Sequence, residues 1–226
     1  NYTVIFFICK NYIKSKEKMK HIKKFAIFTN YLAQVCNKLV KKLITLFDLP
    51  IAAPSANLSE RTSVTNIMDI DPILEKKIFV LKDRQSSHGL ESTVIRIDNN
   101  NKIEVLRYGS ITVEELNKYA KVRIKKKSSI SPGNLKKHYS TLKPIRMNAK
   151  RILKNEGLLN FGKNKLKSKI VNLNLSNKKN LNEAAKNFYH YLHKLDQSRC
   201  KKIAVVEIPD KGLGKTINDR LRRAIK

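Results

Sequence analysis

Cysteine is scarce in this sequence, and the few cysteines present are not paired. Cys9, Cys36 and Cys200 lie far apart, with no CxxC pair and no Cys/His spacing of the kind that builds a tetrahedral metal site. This usage argues against a cysteine-based metal centre. It also indicates a reducing compartment.

Long apolar runs are missing as well. The run VIFFIC at residues 4–9 is too short to span a bilayer, and no small-residue cleavage site follows it. The sequence therefore predicts a cytoplasmic protein with no membrane partner. With only seven glycines and six prolines among 226 residues, a collagen-like or linker-like chain is excluded. A chain of this length can bury a core as one large domain or two smaller ones.

Acidic residues are few, since 18 Asp and Glu stand against 48 Lys and Arg, which gives a net charge of +30. A surplus that large attracts polyanions over a Debye length of about 10 Å and predicts a nucleic-acid partner such as RNA. However, the cations are 37 Lys and only 11 Arg, whereas bidentate phosphate recognition favours Arg. An A/T-rich coding bias is an equally open explanation of the charge.

Apolar periodicity divides the first 120 residues into helices and short strands. Residues 38–47 place Leu39, Leu43 and Phe47 at helical spacing, which predicts an amphipathic helix. The Asn and Asp residues of IDNNNKIE tolerate the left-handed backbone of a tight turn between two strands. Strands are predicted over 50–54, 76–82, 92–97 and 103–108, and a helix over 111–120.

The composition changes after residue 120. Residues 121–144 are rich in Lys, Ser, Pro and Gly, which is typical of a linker. Further on, Asn180 can cap a helix, Glu183 can reach back to that cap, and an apolar stripe follows. Strands that alternate with helices in this half predict a parallel, layered sheet. The predicted strands are 157–162, 169–175 and 201–209, and the predicted helices run from Leu181 to about Ser198 and from about Thr216 onward.

A glycine-rich turn, GLGKT at residues 212–216, follows a predicted strand and opens a helix, as a phosphate-binding loop does. Its spacing differs from that of such a loop. The position that needs the first glycine is Pro209, which lacks an N–H group. The segment is interpreted as a turn into a basic helix, with a triphosphate site as the alternative.

The stretch APSANLSERTSVT, residues 53–65, is rich in Ser and Thr in a chain where 29% of residues are charged. With its flanks, LPIAAPSANLSERTSVT resembles the phosphate-binding segment of the YrdC-like L-threonylcarbamoyladenylate synthase family. HGLESTVIRI and EVLRYGSIT resemble that family's later GLESTV and LRxGxIT segments, in the same order. SPGNLKKHY resembles the interdomain segment of the long, two-domain members. GLLNFG, NLNEAAKNFYHYLHKLD, IAVVEIP and GLGKTINDRLRRA resemble their second domain.

The resemblance implies an α/β fold, with an incomplete YrdC-like twisted α/β domain followed by a linker and a small Rossmann-like α/β C-terminal domain. The family's PTET-type segment and KxR motif are not found before residue 37, so a member truncated at its N-terminus is expected. The expected parts are a non-matching segment over 1–36, the rest of the YrdC-like domain over 37–120, the linker over 121–144 and the C-terminal domain over 145–226.

The resemblance also implies a nucleotidyltransferase, or a C-terminal piece of one, that converts threonine, bicarbonate and ATP into threonylcarbamoyl-AMP and pyrophosphate. ATP would bring magnesium, and a separate transferase complex would pass the product to an adenosine of tRNA. Positioning and charge neutralisation would carry the catalysis, so no catalytic side chain and no protein metal ligand is assigned. The alternative, from a different class, is a non-catalytic RNA-binding protein.

Short hydroxyl donors and close backbone approach suit a triphosphate lying along a loop. By the family's pattern, the nucleotide-binding residues are Ser55, Asn57, Ser63, Arg107 and Tyr139, and the threonine-binding residues are Ala53 and Ser92. Tyr139 would reach from the linker over the site as part of a lid. A turn or cap hydroxyl is the alternative role for each serine, and domain packing is the alternative for Tyr139.

Overall fold

A computed structural model of the chain divides it into two compact units. The first holds Asn1–Leu58 and Ser63–Ser87, and the second holds Ser59–Thr62 and His88–Lys226. Within the described part of the chain, no helix has the length and apolar character needed to cross a membrane. The residues that the structure describes are 38–47, 56–58, 61–80, 89–97, 103–119, 121–124 and 139–225.

The described residues of the first unit form one amphipathic helix and two short helical turns. Helix α1 spans Lys38–Phe47, which confirms the predicted helix. A 3-10 turn follows at Ile67–Asp69, and α2 spans Pro72–Glu75. Asp71 caps α2, because its carboxylate accepts a hydrogen bond from the Ile73 N–H group at 2.9 Å.

The strand predicted over residues 76–82 is wrong over residues 76–80, where the structure describes it. Lys76 keeps helical backbone angles as the C-cap of α2, and Phe79 is 79% exposed. Lys76 and Lys77 belong to the turn that ends α2, since the Lys77 N–H group donates to the Leu74 carbonyl oxygen at 2.9 Å. Residues 81 and 82, and the strand predicted over 50–54, lie outside the described residues.

The second unit contains a three-stranded sheet. Its strands are β1 (Val94–Ile97), β2 (Ile103–Arg107) and β3 (Val122–Ile124), in that order. Strands β1 and β2 are antiparallel, as the predicted turn between them requires, and β2 and β3 are parallel. Strand β3 falls within residues 121–144, which the composition indicated as linker. The buried residues of this part are Ile103, Val105 and Leu116.

The helix predicted after β2 is only one turn long, and three side chains bond at its two ends. Helix α3 spans Val113–Leu116. Thr112 accepts a hydrogen bond from the Glu115 N–H group at 3.2 Å, and the Glu115 carboxylate accepts one from the Thr112 N–H group at 2.7 Å. The Asn117 side chain then accepts a hydrogen bond from the Val122 N–H group at 3.1 Å, which leads the chain into β3.

A parallel four-stranded sheet also lies in the second unit, as the alternation of strands and helices predicted. Its strands are β4 (Ile145–Arg146), β5 (Glu156–Asn160), β6 (Asn172–Asn174) and β7 (Lys202–Val205). They lie in the order β4-β7-β5-β6, and each neighbouring pair is parallel. All five residues of β5 are buried, which is typical of a central parallel strand.

Two helices complete this part of the second unit. Helix α4 spans Leu181–Gln197 and packs against β5 and against α5, which spans Leu213–Ala224. Asn180 caps α4 as predicted. Glu183 does not close the cap directly. The Ser176 hydroxyl donates to the Glu183 carboxylate at 2.5 Å and accepts from the Asn180 N–H group at 3.0 Å, so it bridges the two.

Candidate functional site

Three of the predicted site residues lie in the second unit, and the structure places two of them in contact. Ser92 precedes β1 and is exposed, whereas Arg107 ends β2 and is half-buried. The Arg107 Nη2 atom donates to the Ser92 carbonyl oxygen at 3.0 Å and lies 3.3 Å from the Ser92 hydroxyl. A residue predicted to bind threonine therefore contacts one predicted to bind the nucleotide.

Gly109 allows the LRYGS segment to lie directly against the GLEST segment. A Cβ atom at this position would lie 2.2 Å from the Thr93 nitrogen and 2.3 Å from the Ser92 carbonyl carbon. Because both are backbone atoms, neither can rotate away, and only glycine fits. The Ser110 N–H group also donates to the Glu91 carbonyl oxygen at 2.8 Å.

Glu91, beside Ser92, is a central residue that the sequence did not single out. Its carboxylate accepts hydrogen bonds from the Tyr189 hydroxyl at 2.8 Å and from Arg220 Nε at 3.0 Å. The Arg220 side chain is fully buried, and that of Glu91 is 20% exposed. The two residues are 129 positions apart, so no local pattern predicts that they pair.

Arg220 donates from each of its three side-chain nitrogens. Besides the bond to Glu91, Nη1 lies 2.6 Å from the Asp219 carboxylate, and Nη2 lies 2.6 Å from the Tyr108 carbonyl oxygen. The guanidinium carbon lies 4.7 Å from the centre of the Tyr139 ring, which is a cation–π contact. A fully buried cation is tolerated only with such partners.

Tyr139 is buried beside Arg220 and Tyr189. It is 2% exposed and has a φ of +66°, which is uncommon for a residue other than glycine. Its ring centre lies 6.0 Å from that of Tyr189. Burial first, and then the negative charge of Glu91, raise the pKa of the Tyr139 phenol. Its hydroxyl group therefore stays protonated at neutral pH.

The hydroxyl-rich stretch is only partly described. Ala53 and Ser55 lie outside the described residues. Asn57 and Ser63 lie in the first unit, and both are half-buried. Asn57 Nδ2 donates to the neighbouring Leu58 carbonyl oxygen at 3.0 Å. The ligand roles of these four residues stay predictions.

Thr62, from the same stretch, lies in the second unit and has a partner there that the sequence did not reveal. It is buried, and its hydroxyl lies 2.9 Å from Nε2 of His193 on α4. Its neighbour Arg61 forms a parallel backbone bridge with Ser140, the residue after Tyr139. Residues 61 and 62 are thereby tied to α4 and to the Tyr139 segment.

The GLGKT turn is packed closely against the rest of the second unit. Helix α5 begins at Leu213, earlier than predicted. A Cβ atom on Gly214 would lie 2.0 Å from the Pro209 carbonyl oxygen. Thr216 is buried and donates to the Gly109 carbonyl oxygen at 2.9 Å. The Thr216 hydroxyl thus serves the contact between α5 and the LRYGS segment, and four of the five GLGKT residues form the first turn of the basic helix.

Both halves of the chain match known family models. Residues 111–225 match the model described as threonylcarbamoyl-AMP synthase, C-terminal domain. Residues 9–109 match the Sua5–YciO–YrdC model, which is described as telomere recombination. The second match begins inside residues 1–36, which the sequence placed outside the family. The domain boundaries themselves stay predictions.

Relatives from Pyrococcus abyssi match in sequence and in fold. The threonylcarbamoyl-AMP synthase of P. abyssi (strain GE5 / Orsay) is 26% identical over 216 residues, which cover 83% of this chain and 61% of that protein. A crystal structure of P. abyssi Sua5 complexed with L-threonine has a TM-score of 0.70 and 25% identity, over 84% of this chain and 62% of that one. A double variant of P. abyssi Sua5 shows the same fold, with a TM-score of 0.64 and 24% identity, over 84% and 59%.

The present chain spans about three fifths of the length of these relatives. The matches confirm the resemblance and the α/β fold class, and they favour the synthase family over the non-catalytic RNA-binding alternative. On the family model that covers residues 111–225 and the model that covers residues 9–109, the chain belongs to the two-domain threonylcarbamoyl-AMP synthase family.

Proposed function

We propose that the protein carries out the threonylcarbamoyl-AMP synthase reaction, in which threonine, bicarbonate and ATP give threonylcarbamoyl-AMP and pyrophosphate. The observation that carries this proposal is the contact between Arg107 and Ser92. It joins a residue predicted to bind the nucleotide to one predicted to bind threonine. Family membership and a relative crystallised with L-threonine support the same assignment.

The chemistry is the transfer of an adenylyl group. The carboxylate of the carbamate formed on the threonine nitrogen attacks the α-phosphorus of ATP, a P–O bond forms, and pyrophosphate leaves. Such a step depends on holding the reactants in line and on cations beside the phosphates. Arg107 would supply positive charge where the two substrates meet, and Ser92 would supply a hydroxyl group for threonine. Ser92 is exposed and Arg107 is half-buried, which leaves them accessible to ligands.

The other predicted ligand residues are assigned by the family's pattern. Ser55, Asn57 and Ser63 would contact ATP, and the Ala53 backbone would face threonine. Tyr139 would form part of a lid, although its burial under the Arg220 guanidinium group favours the alternative role of packing.

Magnesium would enter as part of the ATP substrate. Among the residues that the structure describes, no group of three or more His, Cys, Asp or Glu side chains is arranged to hold a metal ion. Magnesium in nucleotide sites is commonly held by one or two carboxylates and by the phosphates of the substrate. Magnesium would accordingly be carried mainly by the triphosphate.

Downstream partners are part of the proposal. A separate transferase complex would use threonylcarbamoyl-AMP to modify an adenosine of tRNA, and the net charge of +30 would favour contact with tRNA or another RNA. The protein would act in the cytoplasm, where these substrates meet.

Product formation tests the proposal. The full chain is incubated with magnesium, ATP, threonine and ¹³C-bicarbonate, and the products are analysed by mass spectrometry. We expect threonylcarbamoyl-AMP whose mass follows the isotope. Arg107→Gln should lower its formation by about 100-fold, because a group that stabilises charge is lost. Arg123→Gln, an exposed arginine on β3, is the matched control and should leave the rate unchanged. A wild-type chain that binds ATP but forms no isotope-labelled product would contradict the proposal.

A further inference from the structure

Arg220 lies on α5, outside every segment assigned to substrate binding, yet it contacts the chain at all three site positions in the second unit. We infer that Arg220 is a positioning residue for the synthase reaction, which holds the segments of Ser92, Arg107 and Tyr139 in their reactive arrangement. The inference rests on the proposed function and adds to it a role for the C-terminal helix.

Three contacts of Arg220 are on a site residue or on the residue beside one. Its Nε atom binds the carboxylate of Glu91, one residue before Ser92, at 3.0 Å. Its Nη2 atom binds the carbonyl oxygen of Tyr108, one residue after Arg107, at 2.6 Å. Its guanidinium group lies over the ring of Tyr139 itself, at 4.7 Å. A displacement of Arg220 would therefore reach each site residue through at most one peptide unit.

Only an arginine side chain can make these contacts together. The planar guanidinium group presents donors in several fixed directions and also stacks on an aromatic ring, whereas a lysine ammonium is a point charge on a flexible stem. Asp219 binds Nη1 of Arg220 at 2.6 Å and also accepts from Arg223 Nε at 2.9 Å. The Asp219 carboxylate thereby fixes the orientation of the Arg220 guanidinium group.

Stability alone does not account for this arrangement. Replacing a buried ion pair with well-packed apolar residues is often neutral or stabilising. The second unit already has an extensive apolar core beside Arg220, which includes Leu221, Ile217 and Phe188. A buried cation that contacts segments 112 and 129 positions away instead specifies how those segments meet.

The experiment separates positioning from folding with charge-balanced variants of the full chain. Arg220→Met alone removes the Arg220 cation and keeps the Glu91 carboxylate, whereas the double variant Glu91→Gln/Arg220→Met removes both charges. Arg220→Lys keeps the positive charge and loses the planar guanidinium group. Arg222→Met is the matched control, because Arg222 lies on the same helix in an exposed pair with Asp210 at 3.3 Å. Urea unfolding, kcat, and KM for ATP and for threonine are measured for each.

We expect the double variant to regain the stability lost in Arg220→Met, yet to have a kcat about 100-fold below that of the wild type, since misplaced reactants slow the step that joins them. KM for ATP should change much less than kcat. Arg220→Lys should have a kcat only slightly above that of the double variant. Arg222→Met should have the kcat of the wild type. A double variant that is as stable as the wild type and turns over at the wild-type rate would overturn the inference.

Hydrogen exchange distinguishes failure of this inference from failure of the proposed function. If the wild type forms no product, the proposed function fails, and exchange at residues 89–93 and 106–110 still tests whether Arg220 holds these segments. The Ser110 amide is a direct reporter, because it donates to the Glu91 carbonyl oxygen at 2.8 Å. We expect faster exchange there in the double variant than in Arg222→Met. Equal protection in the two proteins would overturn the inference.

Discussion

Two arginine–glutamate pairs in the second unit join the chain over very different distances. Arg146 and Glu156 are ten residues apart, and hydrogen bonds of 2.8 and 2.6 Å close the loop between β4 and β5. Arg220 and Glu91 are 129 residues apart, and a hydrogen bond of 3.0 Å joins α5 to the segment of Ser92. The same kind of ion pair thus closes a loop in one region and joins segments of the predicted site in the other.

The partners of each pair explain what its loss would affect. Glu156 also accepts from the Leu153 N–H group at 2.8 Å, and Arg146 also donates to the Arg151 carbonyl oxygen at 2.8 Å. All of these residues belong to one loop and its flanking strands. By contrast, the Arg220 pair reaches the segments that hold Ser92, Arg107 and Tyr139. Disruption of the first pair should change stability alone, whereas disruption of the second should change stability and substrate handling together.

The largest expected effect is that of Glu91→Ala. It leaves the fully buried Arg220 without one carboxylate and the Tyr189 hydroxyl without its acceptor. We expect a loss of about 3–5 kcal/mol in the free energy of unfolding, since breaking a buried ion pair leaves an uncompensated charge. Urea denaturation monitored by circular dichroism measures this loss in the free energy of unfolding. Glu91→Gln keeps an acceptor oxygen and should lose less. A loss below about 1 kcal/mol for Glu91→Ala would show that the pair is not strongly coupled to folding.

Gly109→Ala should come next, because it separates the two segments that the Arg220 pair brings together. The added Cβ atom would lie 2.2 Å from the Thr93 nitrogen, and the backbone must move to accept it. We expect a loss of about 3 kcal/mol and weaker threonine binding in calorimetry. Gly212→Ala is the control for backbone strain alone, because its Cβ atom would meet only Leu181, at 3.8 Å. Its φ of +49° and ψ of −135° should cost about 1–3 kcal/mol and leave threonine binding unchanged. Threonine binding that is weakened equally in the two variants would contradict the role of the close approach at Gly109.

Glu156→Gln tests the local pair and should have a smaller effect. The buried carboxylate loses its charge-assisted hydrogen bonds to Arg146, at a cost of about 2 kcal/mol. The midpoint of urea unfolding gives this value, and product formation measured well below that midpoint should equal that of the wild type. Reduced product formation at unchanged folded fraction would mean that the two pairs do not differ as described.

The smallest effect is the pH dependence of the local pair. The hydrogen bond from Arg146 lowers the pKa of Glu156 below its ordinary value of 4.5. A lowered folded-state pKa contributes stability that is present above the unfolded value and is lost as the pH falls through the folded one. The unfolding free energy, measured from about pH 6 down to about pH 3, should therefore decline, and less steeply in Arg146→Gln. Identical slopes in the two proteins would contradict this assignment.

Much of the fold could be predicted because its signals are local. The Asn180 cap and the apolar stripe of α4 lie within one stretch of chain, and residues such as Phe188 and Leu192 on that stripe are fully buried. Strand β5 and the reversal between β1 and β2 also follow from neighbouring residues. In each case the pattern and the packing agree, so tertiary contacts leave the local preference unchanged.

The errors in the fold arise where a short-range side-chain contact competes with an apolar pattern. Asp71 caps a helical turn whose C-cap, Lys76, is the first residue of the expected strand. Asn117 is the C-cap of α3, and its side chain accepts a hydrogen bond from the Val122 N–H group. Strand β3 lies in a segment with the composition of a linker, and it is set by pairing with β2. Such pairing depends on residues that are distant in sequence.

The same distinction between local and distant signals applies to the candidate site. Ser92 and Arg107 could be found from short motifs, and their contact follows from the pairing of β1 with β2. Glu91 and Arg220 could not, because charged residues far apart carry no periodic signal of pairing. The burial of Tyr139 beneath the Arg220 guanidinium group likewise depends on α5, which is far from Tyr139 in sequence.

Pyrophosphate release by the purified full chain tests the central claim most directly. It is measured with magnesium and ATP, with threonine and bicarbonate each present or absent. We predict release only when both are present, because the attacking carboxylate exists only after bicarbonate has combined with threonine. Release that is independent of threonine, or no release under conditions where ATP is bound, would contradict the assignment of this chain as a working threonylcarbamoyl-AMP synthase.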